Sequence, residues 1–119
     1  MNAPIIIPGV WTIRALHDGK RCFAQEYIDG LQRSERVKLL AVLEYTSQKG
    51  PPKNKEKFNP IENGLLEFKS FQDRLFCFYQ PGNTIVLTHG FCKKKTRLPR
   101  REINKGIRLM QQYLRDKGD

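Results

Sequence analysis

Cysteine, histidine and acidic residues are all scarce in this chain of 119 residues, and each shortage excludes something. The three cysteines, Cys22, Cys77 and Cys92, form no C-x-x-C pair and have no matching histidine spacing. The common zinc frameworks are therefore ruled out. An odd number of thiols fits a reducing compartment. Cys77 and Cys92 fall inside strand-like runs and are expected to be small core residues. Nothing joins a thiol to a histidine and an acid, so a cysteine nucleophile has no support. No apolar run approaches the roughly 20 residues of a membrane span. The short run Ile5-Ile6-Ile7 lies between Pro4 and Pro8 with no basic region before it. That is not a signal peptide, and a cytoplasmic protein without membrane contact is the expectation. There is no G-x-x-x-x-G-K-S/T loop, no G-x-G-x-x-G, and no carboxylate cluster suited to a divalent metal. Neither a cofactor nor a metal is expected.

Positive charge is abundant. The formal net charge is +10. Between Lys93 and Lys117 there are ten basic residues against Glu102 and Asp116, a balance of +8. Such a patch favours nucleic acid through phosphate contacts and counterion release. Lys93-Lys94-Lys95 is the densest part, and like charges packed this closely repel one another unless an anion relieves them.

The length suits one domain spanning residues 1–119. Val10 to Leu16 reads as a strand, with Trp11, Ile13 and Ala15 alternating with Thr12, Arg14 and Leu16. Cys22 to Leu31 reads as a helix with Phe23, Tyr27 and Leu31 on one stripe. Ser34 is a plausible N-cap for a second helix ending near Lys49. Its expected inner face is Val37, Leu40, Ala41 and Glu44, with Leu43 beside it. Gly50-Pro51-Pro52 stops it. Lys53 to Gly64 has no periodicity and is expected to be a loop. Leu65 to Phe71, Arg74 to Tyr79 and Thr84 to Cys92 read as three strands, and the tight connections between them imply an antiparallel meander. A last helix from about Pro99 to Arg115 carries Ile103, Ile107, Met110 and Leu114 as its apolar stripe. The order β-α-α-β-β-β-α is an α+β pattern: a small, mostly antiparallel sheet packed with helices.

The basic side chains gather in three places: Lys53, Lys55 and Lys57 in the loop, Lys69 and Arg74 on the meander, and Lys93, Lys94 and Lys95 at its exit, with Arg97 just beyond. They are able to line one anionic groove. Arg74 is expected at the surface, contributing little to the core. His89 shares the expected pleat face of Ile85, Leu87 and Phe91, so it is either a satisfied core histidine or a group that touches chemistry. Glu56, set among lysines, is either a solvated loop residue or a carboxylate that accepts a proton, its charged form favoured by its neighbours. RNA carries its own nucleophile, the 2′-hydroxyl. A protein that orients it, removes its proton and stabilises charge on phosphorus cleaves RNA without a metal. Composition alone does not separate this from plain RNA binding.

The runs L-L-E-F-K, D-R-L-F-C-F-Y and I-V-L-T-H-G-F-C-K-K-K-T-R-L-P-R-R-E-I resemble the phage-derived HigB-like branch of the RelE/ParE toxin superfamily. The detailed match covers Leu65 to about Tyr113. The resemblance implies a RelE-like fold and the toxin of a type II toxin–antitoxin pair. It further implies a ribosome-dependent mRNA endoribonuclease, with the ribosome and a small helix-turn-helix antitoxin as partners. The ParE relatives, which poison gyrase, share the fold, so a non-catalytic binding module is the alternative. On this resemblance Arg74 matches the second motif arginine, His89 the motif histidine, and Lys93 and Lys94 the paired lysines. Lys69 stands where the pattern has arginine, a point charge in place of a planar bidentate donor. Leu98 stands before Pro99 where relatives often carry Ser or Thr. Glu56 corresponds loosely to the loop acid of RelE-like nucleases.

Overall fold

The computed structural model describes residues 1–118. Six strands form one sheet: β1 (Ile5–Ile7), β2 (Thr12–Ala15), β3 (Phe58–Glu62), β4 (Leu65–Ser70), β5 (Asp73–Gln80) and β6 (Thr84–Cys92). Three helices complete the fold: α1 (Phe23–Asp29), α2 (Arg33–Lys49) and α3 (Arg100–Gly118). The sheet order is β1-β2-β6-β5-β4-β3. Every neighbouring pair is antiparallel except β2 with β6. That parallel pair needs a long crossover, and the chain supplies it through both early helices and the β3–β5 meander.

The α+β class and the antiparallel meander agree with the sequence reading. The element order does not, because two strands are added. β1 is three isoleucines paired with β2. β3 occupies the second half of the stretch expected to be a loop. Its pairing with β4 closes through Asn63-Gly64, both at positive φ (53° and 86°). That is the two-residue turn that Asn-Gly favours.

The sheet separates two cores. On one face, α1 and α2 pack over Ile13, Ala15, Leu75, Cys77, Ile85 and Leu87. On the other, α3 packs over Leu65, Phe76, Phe78, Val86 and Phe91. A bulge joins them. Phe76 pairs with His89 while Cys77 pairs with Leu87, so Thr88 is an extra residue in β6. Since strand side chains alternate between faces, one inserted residue switches the face of everything after it. His89 and Phe91 therefore lie under α3, and the expected shared face with Ile85 and Leu87 is not formed.

Two helix stripes are rotated from expectation, and the third departs only at its end. In α1 the fully buried positions are Ala24 and Ile28, with Phe23 and Tyr27 half-buried. In α2 they are Leu39, Leu43, Thr46 and Ser47, while Val37 is exposed. The α2 sequence has almost equal apolar content around its circumference, so its own pattern does not choose a face. The sheet chooses it. No side chain caps α2 at Gln32, and Ser34 lies inside the helix. In α3, Ile103 and Met110 are buried as expected, joined by Gly106, Leu109 and Tyr113, while Leu114 is exposed. Cys77 is buried and Cys92 is exposed, so only the first is a core thiol.

Candidate functional site: a cationic groove at one end of the sheet

A groove of about 1100 Å³ runs between the outer face of α2, residues 51–57 and the turn between β4 and β5. Gly50 begins its wall. It closes α2 at φ +91°, and its N–H donates to the Thr46 carbonyl. Only glycine adopts this region without strain, so α2 ends sharply and the chain turns into Pro51-Pro52. The lining then carries five lysines, Lys38, Lys49, Lys53, Lys57 and Lys69, against a single carboxylate, Glu56. Among the described residues none of these lysines is held in an ion pair. An uncompensated cluster of this kind concentrates anions. The groove also has aromatic surface from Tyr45 and Phe71 and apolar surface from Ala41, Val42 and the two prolines.

Of the expected site residues, Lys53, Lys57, Lys69 and Glu56 share this lining. Lys55 belongs to the same loop but stands outside the lining, exposed to solvent. Lys94, Lys95 and Arg97 are exposed on residues 93–97, also outside the groove. Lys93 is half-exposed, and its N–H donates to the Gln72 carbonyl at 2.7 Å. That bond fixes the start of the K-K-K run beside the β4–β5 turn, at the same end of the sheet as the groove.

Arg74 is not at the surface, and His89 is the satisfied core histidine of the two expected alternatives, though on the opposite face of the sheet from Ile85 and Leu87. Arg74 is 8% exposed. Its Nε lies 3.3 Å from Glu67 Oε1, an ion-pair contact without hydrogen-bond alignment. Its Nη1 donates to the carbonyls of Phe71 (2.6 Å) and Asp73 (3.0 Å). Glu67, 3% exposed, accepts in turn from the Asn59 amide at 3.0 Å. The guanidinium is thus buried because β4 supplies a carboxylate beside it and the turn supplies carbonyls that only a multi-pronged donor satisfies. Asp73, next to it, accepts from the Tyr27 hydroxyl of α1, and burial pushes that phenol's pKa upward.

His89 is 1% exposed beneath α3. Its Nε2 lies 3.2 Å from Glu102 Oε1, and its Nδ1 lies 3.0 Å from Thr88 Oγ1. A carboxylate oxygen accepts, so the neutral ring faces Glu102 as the Nε2–H tautomer, which leaves Nδ1 and the Phe76 carbonyl (3.3 Å) as the two acceptors around the single Thr88 hydroxyl proton. Burial, reinforced by Lys105 and Arg108, lowers its pKa to about 3. The ring is therefore neutral and out of solvent at neutral pH.

The charged and aromatic lining residues that the sequence does not single out are Lys38, Tyr45, Lys49 and Phe71. The first three lie seven and four residues apart, one stripe of a helix. That stripe is visible once Leu39 and Leu43 are taken as the buried face. Phe71 was read as the last residue of a strand. It is instead the first residue of the β4–β5 turn, at φ +56° and 75% exposed. Among the described residues no group of three His, Cys, Asp or Glu is placed to hold a metal ion. Nor, among the described residues, is any helix long and apolar enough to cross a membrane.

Residues 26–111 match the family described as phage derived protein Gp49-like (DUF891). The match spans α2, the whole meander and most of α3, and so includes every residue of the groove. No curated protein matches the chain.

Proposed function

Since the chain belongs to the phage-derived Gp49-like family, we propose that it is the toxin of a type II toxin–antitoxin pair that cleaves mRNA on the ribosome. The observation that carries this reading is the groove: five lysines and one carboxylate around an aromatic and apolar floor. Phosphates suit the lysines, and bases suit the floor. The HigB-like motif runs through the same meander.

In the proposed reaction, Glu56 takes the proton of the 2′-hydroxyl. The 2′-oxygen attacks the adjacent phosphorus in line, and the bond from phosphorus to the 5′-oxygen breaks. A lysine ammonium returns a proton to that oxygen. The products are a 2′,3′-cyclic phosphate and a 5′-hydroxyl, with atoms and charge balanced and no water consumed. Lys53, Lys57 and Lys69 stabilise the extra negative charge on the phosphorane. Lys93, Lys94, Lys95, Arg97 and Lys55 hold flanking phosphates, which positions the strand without adding chemistry. Arg74 and His89 act as positioning residues, because both are buried: Arg74 fixes the turn that carries Phe71, and His89 ties the β6 bulge to α3.

Lysines are mostly protonated at neutral pH, and the groove holds one carboxylate. Such a site depends on its substrate arriving already oriented, which is the part assigned to the ribosome. The burial of Arg74 and His89 favours a second reading, a groove that binds RNA or a protein target such as gyrase without cleaving it. Inducing the chain in a test host, with primer extension on a reporter mRNA, separates the two. New 5′ ends within translated codons, absent when translation initiation is blocked, support the nuclease. Growth arrest with intact mRNA supports the binder.

A further inference from the structure

Phe71 is a large aromatic side chain left exposed on a strained turn. It holds the first of the two turn positions between β4 and β5. Its φ is +56°, and Gln72 after it does not share the positive value. In a two-residue hairpin turn a first position at positive φ is ordinarily glycine, asparagine or aspartate. For a bulky aromatic residue it is an outlier. The ring gains no burial in exchange, being 75% exposed. The backbone is nevertheless held firmly: buried Arg74 donates to the Phe71 carbonyl at 2.6 Å. Residues kept in strained conformations by their surroundings cluster at ligand sites. The ring stands at the cationic groove, with Lys38 Nζ over one of its faces, 4.5 Å from the centroid, so a base stacks on the other face; Tyr45, 54% exposed, is also on the lining.

We propose that Phe71 is a stacking platform for an unpaired base of single-stranded RNA whose backbone phosphates lie along the lysines of the groove. This rests on the RNA reading of the groove and names the form of nucleic acid it takes. Aromatic faces beside a cationic track are how proteins hold single strands, since every base offers a π-face. A base inside a duplex has both faces covered and gains nothing from the ring. Charge complementarity selects a polyanion, and the exposed ring beside Lys38 selects one that carries planar groups. An acidic peptide uses only the lysines.

The test is fluorescence anisotropy with the purified full chain at low salt, using a labelled single-stranded RNA oligonucleotide, its duplex, and a poly-glutamate peptide as probes. The variants are Phe71→Gly and Phe71→Trp. Glycine relieves the turn, so the thermal midpoint of Phe71→Gly is expected to hold or rise. Its affinity for single-stranded RNA is expected to fall about tenfold or more, the scale of one lost base stack. Phe71→Trp is expected to bind like the parent, and duplex and poly-glutamate binding are expected to be insensitive to residue 71. Unchanged single-strand affinity in Phe71→Gly overturns the platform while leaving the groove's RNA reading in place. So does a loss of poly-glutamate binding in Phe71→Gly equal to that for RNA. A parent that binds neither RNA probe overturns the RNA reading itself, and the platform with it.

Discussion

Replacing Arg74 by alanine is expected to destabilise the fold strongly. The sequence placed this arginine at the surface, where its loss would touch only chemistry. The structure buries it at 8% exposure, with its Nε 3.3 Å from Glu67. Removing it leaves the Glu67 carboxylate, 3% exposed, with the Asn59 amide as its remaining side-chain partner. It also strips the Phe71 carbonyl of its donor. Breaking a buried ion pair from one side costs about 3–5 kcal/mol, because a buried charge is left uncompensated. Against a total stability of roughly 5–15 kcal/mol, that is a large share. For a chain of this size it corresponds to a midpoint lower by about 10 °C or more. Removing both charges is different. Arg74→Met with Glu67→Leu leaves no orphaned charge, and such replacements are often neutral or stabilising. The double variant should therefore be more stable than Arg74→Ala, with a coupling of about 2 kcal/mol. Urea unfolding of the parent, Arg74→Met, Glu67→Leu and the double variant measures the coupling, with Arg74→Ala unfolded beside them. An Arg74→Ala protein with the parent's midpoint and m-value refutes the buried-clamp argument. A destabilised one shows that reduced cleavage in that variant is no measure of Arg74 in the chemistry.

Other perturbations have equally definite outcomes. The folded-state pKa of His89 is about 3, below the ordinary 6.5. The unfolded chain therefore binds the proton first, and stability is full above pH 6.5 and lost as pH falls toward 3. Between pH 6.5 and 5, above the carboxylate range, the loss should approach about 1–2 kcal/mol. A flat urea midpoint across that window, or the same slope in His89→Gln, would count against it. Gly90→Ala should cost about 1–3 kcal/mol, because a Cβ there would sit 2.6 Å from the Tyr27 ring, which its hydroxyl ties to Asp73. Parent-like thermal unfolding of Gly90→Ala would show the ring free to move. If an acidic antitoxin covers the cationic end of the molecule, its association rate should fall steeply between low and high salt. A rate that stopped-flow mixing finds independent of salt contradicts that picture. Naked mRNA should be cut poorly and ribosome-bound mRNA well, so rapid and sequence-indifferent cutting by the pure protein would refute the borrowed-geometry argument.

The antiparallel meander was legible because Thr84 to Cys92, Arg74 to Tyr79 and Leu65 to Phe71 are rich in β-branched and aromatic residues between turn signals. Cys77 and the α3 residues Ile103 and Met110 were legible from periodicity. β3 was obscured by Pro60 and the lysines before it, though Asn63-Gly64 marked its hairpin. The buried face of α2 was not legible, because leucines and valines surround that helix and only the sheet selects among them. The burial of Arg74 and the turn of His89 toward α3 depend on pairings between distant residues: Glu67 across the hairpin, and Phe76 opposite a bulge. No local pattern announces either. The groove was half visible. Its loop lysines were evident, but Lys38, Tyr45 and Lys49 form an α2 stripe beside the face expected to turn inward, and nothing in the sequence singles it out.

Cutting of RNA in this groove is tested most directly by the variant carrying Lys53→Ala, Lys57→Ala and Lys69→Ala, induced beside the parent with primer extension on one reporter mRNA. All three side chains lie on the groove and none is buried in a core, so the variant should unfold at the parent's temperature. The parent is expected to arrest growth and leave new 5′ ends within translated codons, and the variant to do neither. A folded triple variant that still cuts the reporter at the same codons would place the reaction elsewhere on the molecule.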